Sequence, residues 1–402
     1  MLDISKLLTV MTEHEASDLY LTVDSPPMYR INGVVRPAGN RCLQPDDTRA
    51  LAYSVMTDKQ QREFDEESEM NLALYYPALG RFRVNIFIQR ACVGMVIRQI
   101  RSDILTIDDL DLPQVMKDVS MTKRGLVLVV GATGSGKSTT LAAMIDYRNS
   151  NSAGHIITIE DPIEFIHGHK KSIVTQREVG VDTHNFQIAL KNTLRQAPDV
   201  ILIGEIRDQE TMEAAITFAE TGHLCLATLH SNNANQAMER VMNFFPPERH
   251  AQIYLQLSLN LRGIVSQRLV RRKDGGRIAA IEVLLDSPRV KDLIHKAQIA
   301  ELKEAMEKST NAGMQTFDQA LYDHYKAGVI HLDEALKNAD SANNLRLRVK
   351  LSEDGDSFEK GGQSKKKEKT DSVPAPSAVE ETPDEENRVS SVDDEVKLTL
   401  DM

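Results

Sequence analysis

Eight residues, Gly131-Ala132-Thr133-Gly134-Ser135-Gly136-Lys137-Ser138, constrain this chain more than any others. They complete the pattern GxxxxGKS directly after an apolar run at 126–130 (LVLVV) and directly before a helical stretch that continues Thr139-Thr140-Leu141. Strand, glycine-rich turn and helix in that order form a phosphate cradle. The glycines let backbone N–H groups curl around phosphate oxygens, and the helix N-terminus adds positive potential. Such a loop predicts Lys137 between the β- and γ-phosphate oxygens of ATP and the Ser138 hydroxyl on Mg²⁺. Gly131, Thr133, Gly134, Ser135, Gly136 and Thr139 complete the expected nucleotide-binding set.

A cradle of this kind needs a sheet to stand on. Short apolar runs at 156–160 (IITIE), 200–203 (VILI) and 224–229 (LCLATL) have buried-strand length, and helical stretches separate them. The pattern predicts a largely parallel sheet with helices on both faces. Ligands of open α/β sheets lie at the carboxyl ends of the strands, where two acidic clusters fall. One is Glu160-Asp161-Pro162-Ile163-Glu164 and the other is Gly204-Glu205-Ile206-Arg207-Asp208. Phosphoryl transfer to water requires a partner for Mg²⁺ and a group that orients the water. Glu205 resembles a Walker B acid and is the expected Mg²⁺ partner. Glu160 is the second candidate for orienting water, and the order of residues leaves open which of the two is the base. Asp208 is placed to cap the helix that follows. His230 ends the run 224–229 on the ligand side, where it can sense a γ-phosphate, whereas His223 lies at its far end.

The first hundred residues read differently. Strands are expected at 18–23, 28–37, 70–76, 81–89 and 93–101, and helices at 45–56 and 58–67. In RFRVNIFIQR, Phe82, Val84, Ile86 and Ile88 share one face, while Arg81, Arg83, Asn85 and Phe87 share the other. Strands with helices gathered apart from them imply a small α+β module over 1–101. A linker follows at 102–115, then the P-loop domain over 116–350, with a strand after Ala279 and amphipathic helices to about residue 349.

Charge separates the rest. The net charge of −11 over 402 residues divides into −8 beyond residue 350, from fifteen Asp/Glu and seven Lys/Arg, and −3 before it. The nearly neutral body disfavours a nucleic-acid-binding surface. Residues 351–402 are polar with a single aromatic, Phe358, so a disordered tail is expected there. Cys42, Cys92 and Cys225 have no metal-type spacing and predict reduced, buried thiols in a cytoplasmic protein. Nothing approaches the roughly 20 apolar residues of a membrane-spanning helix.

Several motifs together resemble one family, the secretion and type IV pilus ATPases, in their PilT/PilU retraction branch. ITIEDPIEF looks like its Asp box, DVILIGEIRD its Walker B segment and TGHLCLATLH its His box. ASDLYLTVDSPPMYRINGVVRP, GRFRVNIF and GMQTFDQAL also fit, so the resemblance spans about residues 1–350. It implies a PAS-like N-terminal domain, a RecA-like ATPase domain and a homo-hexameric ring with ATP held between the domains. It further implies that Arg81, Arg83 and Arg98 complete the site; Arg195 and Arg207, flanking the Walker B strand, fit either a functional or a structural part. The implied activity is ATP hydrolysis coupled to pilus retraction and twitching motility, at the cytoplasmic side of the inner membrane. The implied partners are a principal retraction ATPase hexamer and an inner-membrane platform protein, with no nucleic acid. Two departures point towards the accessory members of the branch. Principal motors carry an AIRNLIRE-type stretch where this chain has RVKDLIHK at 289–296, keeping Leu293 and Ile294 but not the charges, and they usually lack the tail. A docking subunit without motor activity is the alternative; an extension or secretion ATPase, often built with a Cys₄ zinc insertion, fits three scattered cysteines less well.

Overall fold

Two sheets, each with its own core, organise the chain in a computed structural model that describes residues 3–100 and 102–360, with side chains to residue 352. The first sheet contains β1 (Asp18–Leu21), β2 (Met28–Ile31), β3 (Val34–Pro37), β4 (Glu69–Tyr76), β5 (Gly80–Gln89) and β6 (Cys92–Ile100). Their order is β3-β2-β1-β6-β5-β4, antiparallel throughout. The alternation in β5 is realised for Phe82, Val84 and Ile86, all fully buried, but Ile88 at the strand end is 40% exposed. The stretch 28–37, expected as one strand, is a hairpin. Asn32 and Gly33 turn it with φ of 50° and 82°, the paired positive values that a two-residue hairpin loop requires.

A helix absent from the sequence reading, Ile4–Glu13, starts at an Asp3 cap and buries Ile4, Leu7, Leu8 and Met11. Its Leu7 carbonyl accepts a 2.9 Å hydrogen bond from the buried Tyr29 hydroxyl. Together with Pro45–Val55 and Asp58–Glu67 it closes the first core, in which Phe82 is among the largest fully buried side chains. Phe82→Ala should cost about 3–5 kcal/mol. Denaturant unfolding of the variant checks this; a loss below about 1 kcal/mol would remove Phe82 from the core.

The second sheet contains β7 (Gly125–Val130), β8 (His155–Glu160), β9 (Ile173–Glu178), β10 (Val200–Ile203), β11 (Leu224–Leu229), β12 (Leu261–Arg271) and β13 (Arg277–Leu285). Its order is β13-β12-β7-β11-β10-β8-β9, and only β13 runs antiparallel to its neighbour. Both faces are covered. Leu126, Leu128 and Val130 of β7 pack beneath helices Gln209–Glu220 and Ala234–Asn243, while Val127 and Val129 pack against helix Lys137–Asn151. That burial of both faces explains why the strands read as unbroken apolar runs. β9 and β12 went unread because TQRE and SQR interrupt their apolar pattern.

In the segment 102–115, expected as a linker, Ile107 and Leu112 pack into the second core. Beyond β13, helices Phe317–Lys326, Leu332–Asn338 and Ala342–Lys360 form a further cluster around Phe317 and Leu321. The last helix runs past residue 351, where the tail was expected to begin; the remainder of that expected tail, 361–402, lies outside the described residues. Of the three cysteines only Cys225 is buried, and Cys42 is exposed, which corrects the expectation of three buried thiols. Among the described residues no helix is long and apolar enough to cross a membrane.

Candidate nucleotide site

The loop between β7 and its helix is shaped so that side chains could not replace its glycines. A Cβ on Gly131 would stand 2.4 Å from Ser135 Oγ and 2.6 Å from the Gln267 carbonyl oxygen. Gly136 has φ of 91°, and a Cβ there would meet Gln267 Nε2 at 2.7 Å. The donors of the loop are under-used. Lys137 Nζ folds back on the carbonyls of Gly131 and Ala132 at 2.9 and 3.0 Å, and the buried Ser135 Oγ has no hydrogen-bond partner among the described residues. Burial lowers the Lys137 pKa, an effect the charge of Glu205 opposes. A half-buried ammonium and an unpaired hydroxyl fit a polyanion such as a triphosphate. Ser138 is exposed on the first helical turn and Thr139 is half-buried behind it; Thr133 and Gly134 are exposed at the rim.

Sequence reasoning missed Gln267. It lies on β12, beside β7, and its Oε1 accepts 2.7 Å from the buried Thr140 hydroxyl while its amide sits under Gly136. Gln267 is thus the floor of the loop. Its partners are more than a hundred residues away in sequence, so no local pattern could have found it.

Strand order sets how far each acid stands from the loop. Neighbouring strands are about 4.8 Å apart, so β11, β10 and β8 lie roughly 5, 10 and 14 Å from β7. His230 follows β11 and Glu205 follows β10, and they meet: His230 Nε2 is 2.9 Å from Glu205 Oε1. Arg207 Nε donates to Glu205 Oε2 at 2.6 Å, and its NH1 reaches Asp161 at 3.0 Å. Asp208 caps the helix Gln209–Glu220 through the Thr211 amide, as expected.

Glu160, at the end of β8, is already occupied. Its Oε1 accepts from Thr158 Oγ1 at 2.6 Å and Gln176 Nε2 at 3.2 Å. Burial raises its pKa; the hydrogen bonds from Thr158 and Gln176 oppose the rise and the Glu164 charge adds to it. Glu164 itself is exposed at the ligand end, with the positive charge of Arg98 in electrostatic reach.

The arginines divide. Arg81, on β5, crosses to the second sheet and pairs with Glu178 at 3.5 Å and Asp182 at 3.8 Å. Burial raises the Glu178 pKa, and Arg81 opposes it. Arg83 is half-buried on the same face of β5. Arg98 stands opposite Arg83 on β6 but donates through Nε to the buried Asp18 at 2.7 Å, which holds it to its own sheet. Two further predicted residues are not brought to the loop within this chain. His223 precedes β11 at the opposite end, bonded to Thr221 Oγ1 and the Phe218 carbonyl, and Arg195 is exposed in the turn before β10.

The family model described as "Type II/IV secretion system protein" matches residues 2–337. The type IV pilus ATPase PilU of Pseudomonas aeruginosa is 57% identical over 356 residues, covering 88% of this chain and 93% of that protein. The type IV pilus retraction ATPase PilT of the same organism is 44% identical over 338 residues, covering 84% and 98%. The crystal structure of the pilus retraction motor PilT with bound ADP superposes with a TM-score of 0.79 at 41% identity, over 85% of this chain and 98% of that one.

Proposed function

The chain belongs to the type II/IV secretion system protein family, and from that membership we propose that it hydrolyses ATP to drive type IV pilus retraction. The observation that carries this reading is the under-satisfied phosphate cradle, Lys137 and Ser135 above all, beside an acid–histidine–arginine cluster at the same sheet edge. Lys137 and the loop amides grip the terminal phosphates of the substrate. Ser138 and Glu205 are the residues that would hold Mg²⁺, which supplies positive charge against the phosphates when bound. His230, with Nε2 2.9 Å from Glu205 Oε1 and one strand from the loop, reports whether the last phosphate is present.

Glu164 orients the attacking water in this proposal, and Glu160 holds the loop that carries it. Glu164 is exposed on the loop after β8, whereas Glu160 at the strand end has one oxygen already taken by Thr158 and Gln176. Arg81 and Arg83, on the face of β5 that meets the second sheet, supply charge from the N-terminal domain. The chain works as a homo-hexamer at the inner-membrane base of the pilus. It assists a principal retraction motor acting on the platform protein. Support for the accessory part comes from helix Pro288–His295. It buries Val290, Leu293 and Ile294 like any core helix, so its departure from principal motors lies on the exposed side. There Arg289 pairs with Glu301 and Lys296 with Asp292.

Deletion in a piliated cell, alone and together with the principal motor, tests the reading by filming pilus length. Fewer or weaker retractions on single deletion are expected. Pilus dynamics identical to the parent in both backgrounds would overturn it.

A further inference from the structure

We propose that Gln176, on the edge strand β9, is a positioning residue for ATP hydrolysis that holds the loop presenting Glu164. The inference rests on the reading of Glu164 given above. Three hydrogen bonds carry it. Gln176 Oε1 accepts the His167 backbone N–H at 2.8 Å, and its Nε2 donates to the Phe165 carbonyl at 2.9 Å and to Glu160 Oε1 at 3.2 Å. Residues 160, 165 and 167 are therefore tied to one side chain, and Glu164 lies between them.

The arrangement gives the loop a fixed shape without touching the carboxylate of Glu164. It also accounts for a polar residue in a strand: β9 contributes TQRE at the sheet edge, and Gln176 turns what would be an unpaired edge side chain into a staple. Both side-chain donors to Glu160, Gln176 and Thr158, converge on Oε1. The staple needs Glu160 ionised, since a carboxylate accepts more readily from all of its donors than a carboxylic acid does. The charged groups around Glu160 are Glu164 on its own loop and Glu178 opposite it on β9, with Arg81 beyond. Past β10 stand Glu205 and Arg207. As pH falls through the Glu160 pKa the staple weakens and turnover falls. Removing a donor raises that pKa, so the acid limb moves to higher pH.

The test compares Gln176→Met and Gln176→Glu with the parent in the full-length chain. Methionine keeps the length of the side chain and loses all three bonds. Turnover should fall about 10-fold while KM for ATP and ADP affinity stay within about 2-fold, as expected when a supporting partner of a reacting group is lost. The acid limb of the kcat profile should move up by about half to one pH unit, the equivalent of one hydrogen bond. Glutamate keeps the bond to His167 but sets a second carboxylate against Glu160, so its acid limb should move further. Unchanged kcat and pH profile in both variants would overturn the proposal, as would equal losses of nucleotide affinity and turnover. Glu164→Gln is measured alongside. If it retains parental turnover, the reading of Glu164 falls and the positioning role with it; if it is inactive while both Gln176 variants behave as the parent, only the positioning role falls.

Discussion

Replacing Lys137 with alanine leaves a folded chain that turns over ATP on the order of 10²–10³ times more slowly, or not measurably. Among the described residues the Nζ of Lys137 makes hydrogen bonds only to two carbonyls of its own loop, so the fold has little to lose. Alanine is also the best helix former at the first position of helix Lys137–Asn151. What disappears is a preorganised cation. Burial has already stripped it of part of its water, and it is held in place before any phosphate arrives. Because the charge that develops in phosphoryl transfer spreads over the terminal oxygens, its loss is felt in binding and in turnover alike. Phosphate release by the purified variant and its thermal melting together check this. Parental turnover at a parental melting temperature would remove the loop from the active site.

The residues that announce this site are those whose neighbours in sequence are also their neighbours in space. A P-loop is strand, turn and helix in one continuous stretch, so Gly131–Ser138 was legible from eight residues. Glu205 and His230 were legible because each follows a buried apolar run, and strand ends of a parallel sheet share one edge. The same logic could not say which acid stands nearest the loop. That depends on the order β7-β11-β10-β8, a property of how strands pair across dozens of residues. Arg98 was expected at the nucleotide and is bound to Asp18, eighty residues earlier in the chain. Gln267 and Gln176 were invisible for a related reason. Each is a polar residue in a strand, which weakens the apolar pattern by which strands are read, and each makes its key bonds to another element. The hairpin at 28–37 is a different kind of miss, since Asn32-Gly33 carried a local turn signal. The helix Ile4–Glu13 likewise shows its period in Ile4, Leu7, Leu8 and Met11.

Exchanging Glu164 for glutamine should separate binding from chemistry. Glutamine keeps the size of the side chain and removes only its charge and its basicity. No hydrogen bond of the phosphate cradle involves that side chain, so ATP should bind with parental affinity. Turnover should fall on the order of 10²–10³-fold, the usual contribution of a positioned base to a proton transfer. Glu160→Gln makes the contrast. Its amide can still accept from Thr158 through one oxygen, but it carries no charge to draw in the Thr158 hydroxyl and the Gln176 amide together. A smaller loss is expected there, closer to 10-fold, because the loop loosens while the group facing the water survives. Turnover and equilibrium binding of a fluorescent ATP analogue, measured on both variants, decide between the two carboxylates. If Glu160→Gln is the dead enzyme and Glu164→Gln the impaired one, the two roles exchange. The chemistry then belongs to the strand end rather than to the loop beyond it.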